Sequence, residues 1–140
     1  MDMKCIFCKI INRESEAEII YEDQKVISFL DINPIHFGHI LVVPKIHSVD
    51  FLSIPQDYLE PLIAASRLVT DAMVKSLKPD GYNIFANNGI AAGQSIFHFH
   101  LHITPRYFND EIKFKLNLKK YGISEMKDFA DKIRKNVTAK

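Results

Sequence analysis

The sequence lacks a charge excess. Lys plus Arg total 18 against 17 Asp plus Glu, a formal net charge of +1. That balance gives no electrostatic footprint for nucleic acid or an acidic membrane surface, and is compatible with a small anionic ligand. It also lacks a long apolar run. Its longest aliphatic stretch, Ile40-Leu41-Val42-Val43, is far shorter than the ~20 residues a bilayer span requires. The opening, Met1-Asp2-Met3-Lys4-Cys5, carries no signal-peptide pattern. The expectation is a soluble cytoplasmic protein with no membrane partner. Cysteine is scarce: there are two, in Cys5-Ile6-Phe7-Cys8. The pair fits a reducing compartment, and reads as plain thiols, a redox pair or half of a metal site. Half a zinc site needs two further ligands, ideally histidines. There is no internal repeat or low-complexity tract. With 140 residues, 47% hydrophobic and 25% charged, the chain reads as one globular domain with a real core.

Histidine is clustered. Of six in the chain, three lie within five residues, in His98-Phe99-His100-Leu101-His102-Ile103-Thr104. Residues i, i+2 and i+4 of a strand share a face, so a strand here would put the three imidazoles on one side, neighbours roughly 6.5–7 Å apart. No helix gives that arrangement. A row of polar groups has little use in a core strand, so the chemistry of the protein is expected here.

The rest of the chain supplies a scaffold. Residues 5–12 read as a short helix or turn. Glu18–Tyr21 and Lys25–Leu30 form a hairpin, broken by Asp31-Ile32-Asn33-Pro34. Gly38 and Pro44 bound a buried strand. Leu59, Leu62, Ile63, Ser66, Val69, Met73 and Leu77 recur at helical spacing. Ser53 with Gln56 is a plausible capping pair, and Lys78-Pro79-Asp80-Gly81 is a stop signal. Tyr82–Asn87 reads as a strand. The histidine strand is expected from Ile96 to Arg106, and a last helix from Ser124 to Arg134. The sum is an α+β fold: a five-stranded, mainly antiparallel sheet with one long helix and a C-terminal helix. The core is expected over about 4–107, with residues 108–140 as an extension whose basic stretch, Lys113 to Lys120, fits no pattern.

Three readings compete for the histidines. A mononuclear metal site is short of carboxylate support, since no Asp or Glu lies between Asp80 and Asp110. A nucleophilic imidazole that attacks phosphorus or an acyl carbon suits the preceding loop better. Asn87, Gly89, Gly93, Gln94 and Ser95 offer backbone N–H groups, amides and a hydroxyl for phosphate oxygens. A non-enzymatic nucleotide or metal binder would use the same groups.

The order Asn87, Gly93-Gln94-Ser95 and His98-Phe99-His100-Leu101-His102-Ile103 strongly resembles the histidine triad family, His-φ-His-φ-His-φ-φ with φ apolar. Thr104 in place of the last apolar residue is a departure. Cys5-Ile6-Phe7-Cys8-Lys9-Ile10-Ile11, Phe29-Leu30-Asp31-Ile32 and Gly38-His39 through Lys45-Ile46-His47 extend the likeness over nearly the whole chain. The resemblance implies a nucleotide hydrolase or transferase acting at the α-phosphate of purine nucleotide conjugates, of AMP or GMP type and phosphoramidates above all. His100 would form a nucleotidyl-histidine that water then releases. His102 and His39 would flank the phosphate, and Ser95 and Gln94 would hold its oxygens or help the leaving group. Asn87 and Gly93 would contact the same region. Asp31 would take the ribose hydroxyls, with Phe7, Ile27, Phe29 and Ile32 as base-pocket walls. Zinc-carrying members imply a structural Zn²⁺ on Cys5, Cys8, His47 and His98, and the family implies a homodimer. The alternatives are a dinucleoside polyphosphate hydrolase and a nucleotide-binding regulatory protein with little turnover.

Overall fold

A computed structural model describes residues 4–138. Met1–Met3, on which part of the signal-peptide expectation rested, lie outside the described residues, as do 139–140. The elements in order are α1 (Ile6–Ile11), β1 (Ile19–Glu22), β2 (Val26–Leu30), β3 (Ile40–Pro44), α2 (Gln56–Leu77), β4 (Gly81–Phe85), β5 (Leu101–Arg106) and α3 (Glu125–Arg134). The strands form one sheet in the order β1-β2-β3-β5-β4, and every neighbouring pair is antiparallel. The expected α+β architecture is what the chain adopts. Among the described residues, no helix is long and apolar enough to cross a membrane.

The sheet is covered on both faces, which explains why Ile40–Val43 is apolar without alternation. Val26, Ile40, Val42 and Ile103 face α2 and pack with Leu62, Ala65, Val69 and Met73. Ile27, Phe29, Leu41 and Val43 face the opposite way, onto Phe7 and Ile10 of α1. The register sets a row across this second face: Phe29 opposite Leu41, Leu41 opposite His102, and His102 opposite Phe85. The apolar wall and the last histidine of the triad therefore share one side of the sheet.

Two local expectations are corrected. The histidine strand starts at Leu101, not Ile96; residues 95–100 are irregular, with a bend over 96–98. The ladder gives out because β4 ends at Phe85 and β3 at Pro44, which has no N–H. The carbonyl of Pro44 accepts instead from the His98 ring, at 2.8 Å. Ser53 does not cap α2: it forms a reciprocal capping pair with Asp50 around a 3₁₀ turn, Phe51–Ser53, and Pro55 precedes α2 without a side-chain cap. Pro61 lies inside α2, where it denies the Asp57 carbonyl its helical donor; Lys25 Nζ donates to that oxygen at 2.9 Å. Gly81 opens β4, and the left-handed residue that ends α2 is Lys78, φ +48°.

Beyond β5 the chain has no regular element until α3. Its root is fastened by Arg106, which donates to Asp110 at 2.7 and 3.2 Å, to Asn83 at 2.8 Å and to the Ile112 carbonyl at 3.0 Å. The guanidinium holds the Asp110 carboxyl well below the usual range, helped by backbone N–H donors from Tyr107 and Ile112.

Candidate functional site

His98, His100 and His102 lie on one side of the segment, opposite Phe99, Leu101 and Ile103, which pack on the α2 side. Phe7 meets the first two rings and the last two are 4.7 Å apart, although the first two histidines precede the regular strand. Each is held by a different partner, and the partner decides which ring nitrogen carries the proton.

His98 is fully buried. Its Nε2–H donates to the Pro44 carbonyl at 2.8 Å, which turns the Nδ1 lone pair toward Cys5 Sγ at 3.4 Å and Cys8 Sγ at 3.6 Å. His47 Nδ1 lies 3.3 Å from Cys8 Sγ, and all four ligand atoms fall within 4.8 Å of one another. A tetrahedral zinc with the usual Zn–S and Zn–N lengths has S–N edges of about 3.5 Å. The four residues therefore fit that metal in donor type and in spacing, and the Pro44 carbonyl fixes the His98 tautomer as an outer partner does in zinc sites. Burial, opposed by the hydrogen bond to Pro44 and aided by His47, pushes the His98 pKa down to about 4. At neutral pH its Nδ1 is an available ligand.

His100 is turned the other way. Its Nδ1–H donates to the carbonyl of His98 at 2.8 Å, leaving the Nε2 lone pair uncommitted by that bond. Its ring lies edge-on to Phe7, with centroids 5.0 Å apart. Burial pulls its pKa down, with the His98 carbonyl and Asp31 pulling it up by less.

His102 and His39 form a pair. Gly38, at φ +87°, turns the chain into β3 in a conformation that side-chain-bearing residues rarely adopt. The next residue, His39, is then buried with its Nδ1 accepting from the Ile35 N–H at 3.1 Å. In its neutral form its proton must sit on Nε2, which donates to His102 Nδ1 at 2.9 Å. His102 thus keeps its own proton on Nε2. Burial, with His100 and His39 adding to it, lowers the His102 pKa to about 4, and burial likewise lowers that of His39. Phe85 stacks on the His102 ring at 4.6 Å and 8°.

A cleft of 360 Å³ runs past these rings, lined among others by Phe7, Phe29, Asp31, Ile32, Ser95, His100 and His102. Seven of the expected site residues are brought together there. Ile27 is not a wall of this cleft: it is wholly buried in the core behind it, beside Phe7 and Phe29. His39 acts from behind His102. Asn87 lies against Gly93, where a Cβ would meet its Nδ2 at 3.8 Å. Gln94 spends its amide on the loop: Oε1 accepts from the Gly89 N–H at 2.8 Å, and Nε2 donates to the carbonyls of Val49 (2.7 Å) and Ile96 (3.1 Å). Its side chain shapes the loop that presents Ser95. Asp31 combines its two readings, since Oδ1 accepts from the Asn33 N–H at 2.9 Å as a turn residue while the residue also lines the cleft. Sequence reasoning missed Phe85, whose role depends on strand register, and Glu16, a lining residue from a polar loop with no motif to mark it.

The HIT domain family model matches residues 12–109. The chain is 51% identical over 106 residues to an uncharacterised HIT-like protein of Methanocaldococcus jannaschii, covering 76% of this chain and 81% of that one. It is 38% identical over 119 residues to an adenylylsulfatase of Arabidopsis thaliana, covering 85% of this chain and 60% of that one. Among solved structures, a HIT family member from Bacillus subtilis superposes with a TM-score of 0.88 at 34% identity, over 97% of this chain and 99% of that one. A Zn-bound histidine triad protein from Mycobacterium smegmatis gives 0.75 at 38%, over 84% and 85%. A histidine triad nucleotide-binding protein from Candida albicans gives 0.83 at 31%, over 94% and 95%.

Proposed function

The chain belongs to the HIT family, and on that premise we propose that it hydrolyses or transfers nucleotidyl groups through a covalent intermediate on His100. The observation that carries this reading is the His100 Nδ1–H bond to the His98 carbonyl. It fixes the tautomer whose Nε2 carries the lone pair, in a ring that lines the cleft, as a nucleophilic imidazole requires.

In the proposed cycle Nε2 attacks the α-phosphorus of an adenylyl or guanylyl conjugate. A P–N bond forms, the bond to the leaving group breaks, and the His98 carbonyl holds the Nδ1–H of the cationic nucleotidyl-imidazole. Ser95, at the cleft margin, bonds a phosphate oxygen or the departing group. His102 donates its Nε2–H to a phosphate oxygen, oriented through Nδ1 by His39. Water then attacks the phosphorus, and His100 leaves as a neutral imidazole. The net proton from water balances the one the leaving group takes. Asp31 accepts from the ribose diol, and the base lies against Phe7, Phe29 and Ile32. Asn87 and Gly93, with the Gln94 amide holding their loop, supply the phosphate-side rim. The Arabidopsis relative acts on an adenylyl conjugate by its name, which supports the adenylyl half of the reading and leaves phosphoramidates, dinucleoside polyphosphates and adenylyl sulfate as candidate substrates.

Zn²⁺ is assigned to Cys5, Cys8, His47 and His98 as a closed structural site. A Cys₂His₂ set leaves no position for substrate. A homodimer is assigned to the free side of β4 and the adjoining face of α2, where Ile63, Val74, Tyr82 and Ile84 line an apolar groove at the sheet's open edge. Light scattering reads its mass directly.

The function is tested by mixing the protein briefly with an AMP–lysine conjugate and weighing it by mass spectrometry. An added AMP that is lost in His100→Ala supports the enzyme. AMP binding without adduct or turnover on any of the three conjugates would replace it with a nucleotide-binding regulator.

A further inference from the structure

The metal-type cluster and the cleft share two pieces of chain. The first is His98, whose ring belongs to the cluster and whose carbonyl receives the Nδ1–H of His100 at 2.8 Å. The second is α1. Cys5 stands at its N-cap and Cys8 on its buried side, while Ile6, Phe7 and Ile10 of the same helix line the cleft. Phe7 touches both sites: its ring meets His98 edge-on at 5.9 Å, His100 at 5.0 Å and Phe29 at 5.4 Å.

α1 has only six residues and no side-chain cap at its N-terminus. A helix this short is not stable by itself in water. Its place is set by packing on Ile27, Phe29, Leu41 and Val43 and by what Cys5 and Cys8 bind. If the two thiolates, His47 and His98 are drawn onto one ion, α1 and the backbone of His98 are clamped together, and Phe7 and the His100 tautomer are clamped with them. If they are not, two sulfurs and two imidazoles with contacts of 3.3–3.6 Å have no ion to fix them, and α1 and the His98 backbone lose that clamp.

We propose that Phe7 and His98 are positioning residues that couple the metal cluster to the cleft, so that metal and nucleotide bind cooperatively. This rests on the reading of the cleft as a nucleotide site. The coupling is reciprocal by thermodynamic necessity: whatever factor the metal adds to nucleotide affinity, nucleotide adds to metal affinity.

The test uses the full, zinc-loaded chain and a chromophoric chelator that reports zinc competition and zinc release, with and without saturating AMP. AMP is expected to tighten zinc binding about fivefold or more, the lower end of typical coupling, and to slow zinc release. Phe7→Ala is expected to keep one zinc per chain and lose the AMP effect, and Phe7→Tyr to retain it. Equal zinc affinity with and without bound AMP would overturn the proposal. Release is read on the loaded protein, so the result stands even if the metal-free chain unfolds.

Calorimetry of AMP on the loaded protein separates the two readings. If AMP does not bind, the nucleotide reading fails, and the positioning claim is judged by ¹⁵N NMR of His100. One Nδ1–H tautomer in the loaded protein and a mixture after chelation would sustain it. The same single tautomer in both would overturn it.

Discussion

The two ends of the histidine segment carry the same side chain and do opposite things with it. At the cysteine end, His98 gives its Nε2–H to a backbone carbonyl and turns Nδ1 to two sulfurs. At the cleft end, His100 gives its Nδ1–H to a backbone carbonyl and keeps Nε2 for the cleft. One hydrogen bond to a main-chain oxygen, made by one nitrogen or the other, separates the proposed metal ligand from the proposed nucleophile. His102 is a third case, its tautomer set by another imidazole whose own tautomer is set by the Ile35 N–H. Residue type says that an imidazole is present; the acceptor beside it says which atom is reactive.

The largest effect is expected at His100, the proposed nucleophile. His100→Ala is expected to lower kcat/KM on an AMP conjugate by about 10⁴-fold or more, the scale of removing a covalent nucleophile, with zinc content and thermal midpoint little changed. Steady-state kinetics beside metal analysis would read both. The cysteine end should behave the other way round. Cys8→Ser removes a buried thiol of the proposed zinc set, and is expected to bring zinc below about 0.2 per chain and to cost about 3 kcal/mol or more of stability, since metal binding free energy is folding free energy. A denaturant midpoint unchanged by this variant would show that the cluster holds nothing in place.

Acid should weaken the cleft end through His102. Its native pKa is held at about 4 against an ordinary 6.5, so between those values the unfolded chain binds the proton first. Stability therefore rises with pH from about 4 to 6.5 and falls on acidification through that window. His102→Gln should flatten that slope in urea titrations at pH 4.5, 5.5 and 6.5. The smallest effect is expected at Thr104, which stands at the apolar end of the triad pattern. It is buried, and its hydroxyl has no hydrogen-bond partner among the described residues. Thr104→Val removes an unsatisfied polar group and should raise stability by about 1 kcal/mol without altering kinetics. A loss of activity there would mean that the hydroxyl serves the site.

Much of this was legible beforehand, and the reasons differ by element. β2, β3 and α2 could be placed within a few residues because their apolar patterns are long and their ends carry Gly or Pro. The strand through His98 and His100 was not, because strand periodicity describes side-chain alternation and cannot tell whether a neighbour is there to pair with. Pro44 and the end of β4 at Phe85 take that neighbour away. The Ser53–Gln56 cap failed for a similar reason: Asp50 competes for Ser53 and wins it for a 3₁₀ turn. Ile27 is a wall only by the family resemblance; it shares the face of Phe29, but on a sheet covered on both faces it goes to the core behind the cleft. Gln94 has the right chemistry for phosphate, but three loop partners claim its amide first.

What the sequence determined by itself was the inventory: two cysteines a helical turn apart, three alternating histidines, a small-residue loop before them, and a scaffold of strands and one long helix. Those follow from local chemistry, which the order of residues carries. Tertiary structure alone decided which residues meet across 39 and 90 positions of chain to make a metal-type cluster, and which nitrogen of each imidazole is spent. Hydrogen bonding to a distant carbonyl is a property of the packed chain, and no periodicity in the sequence encodes it.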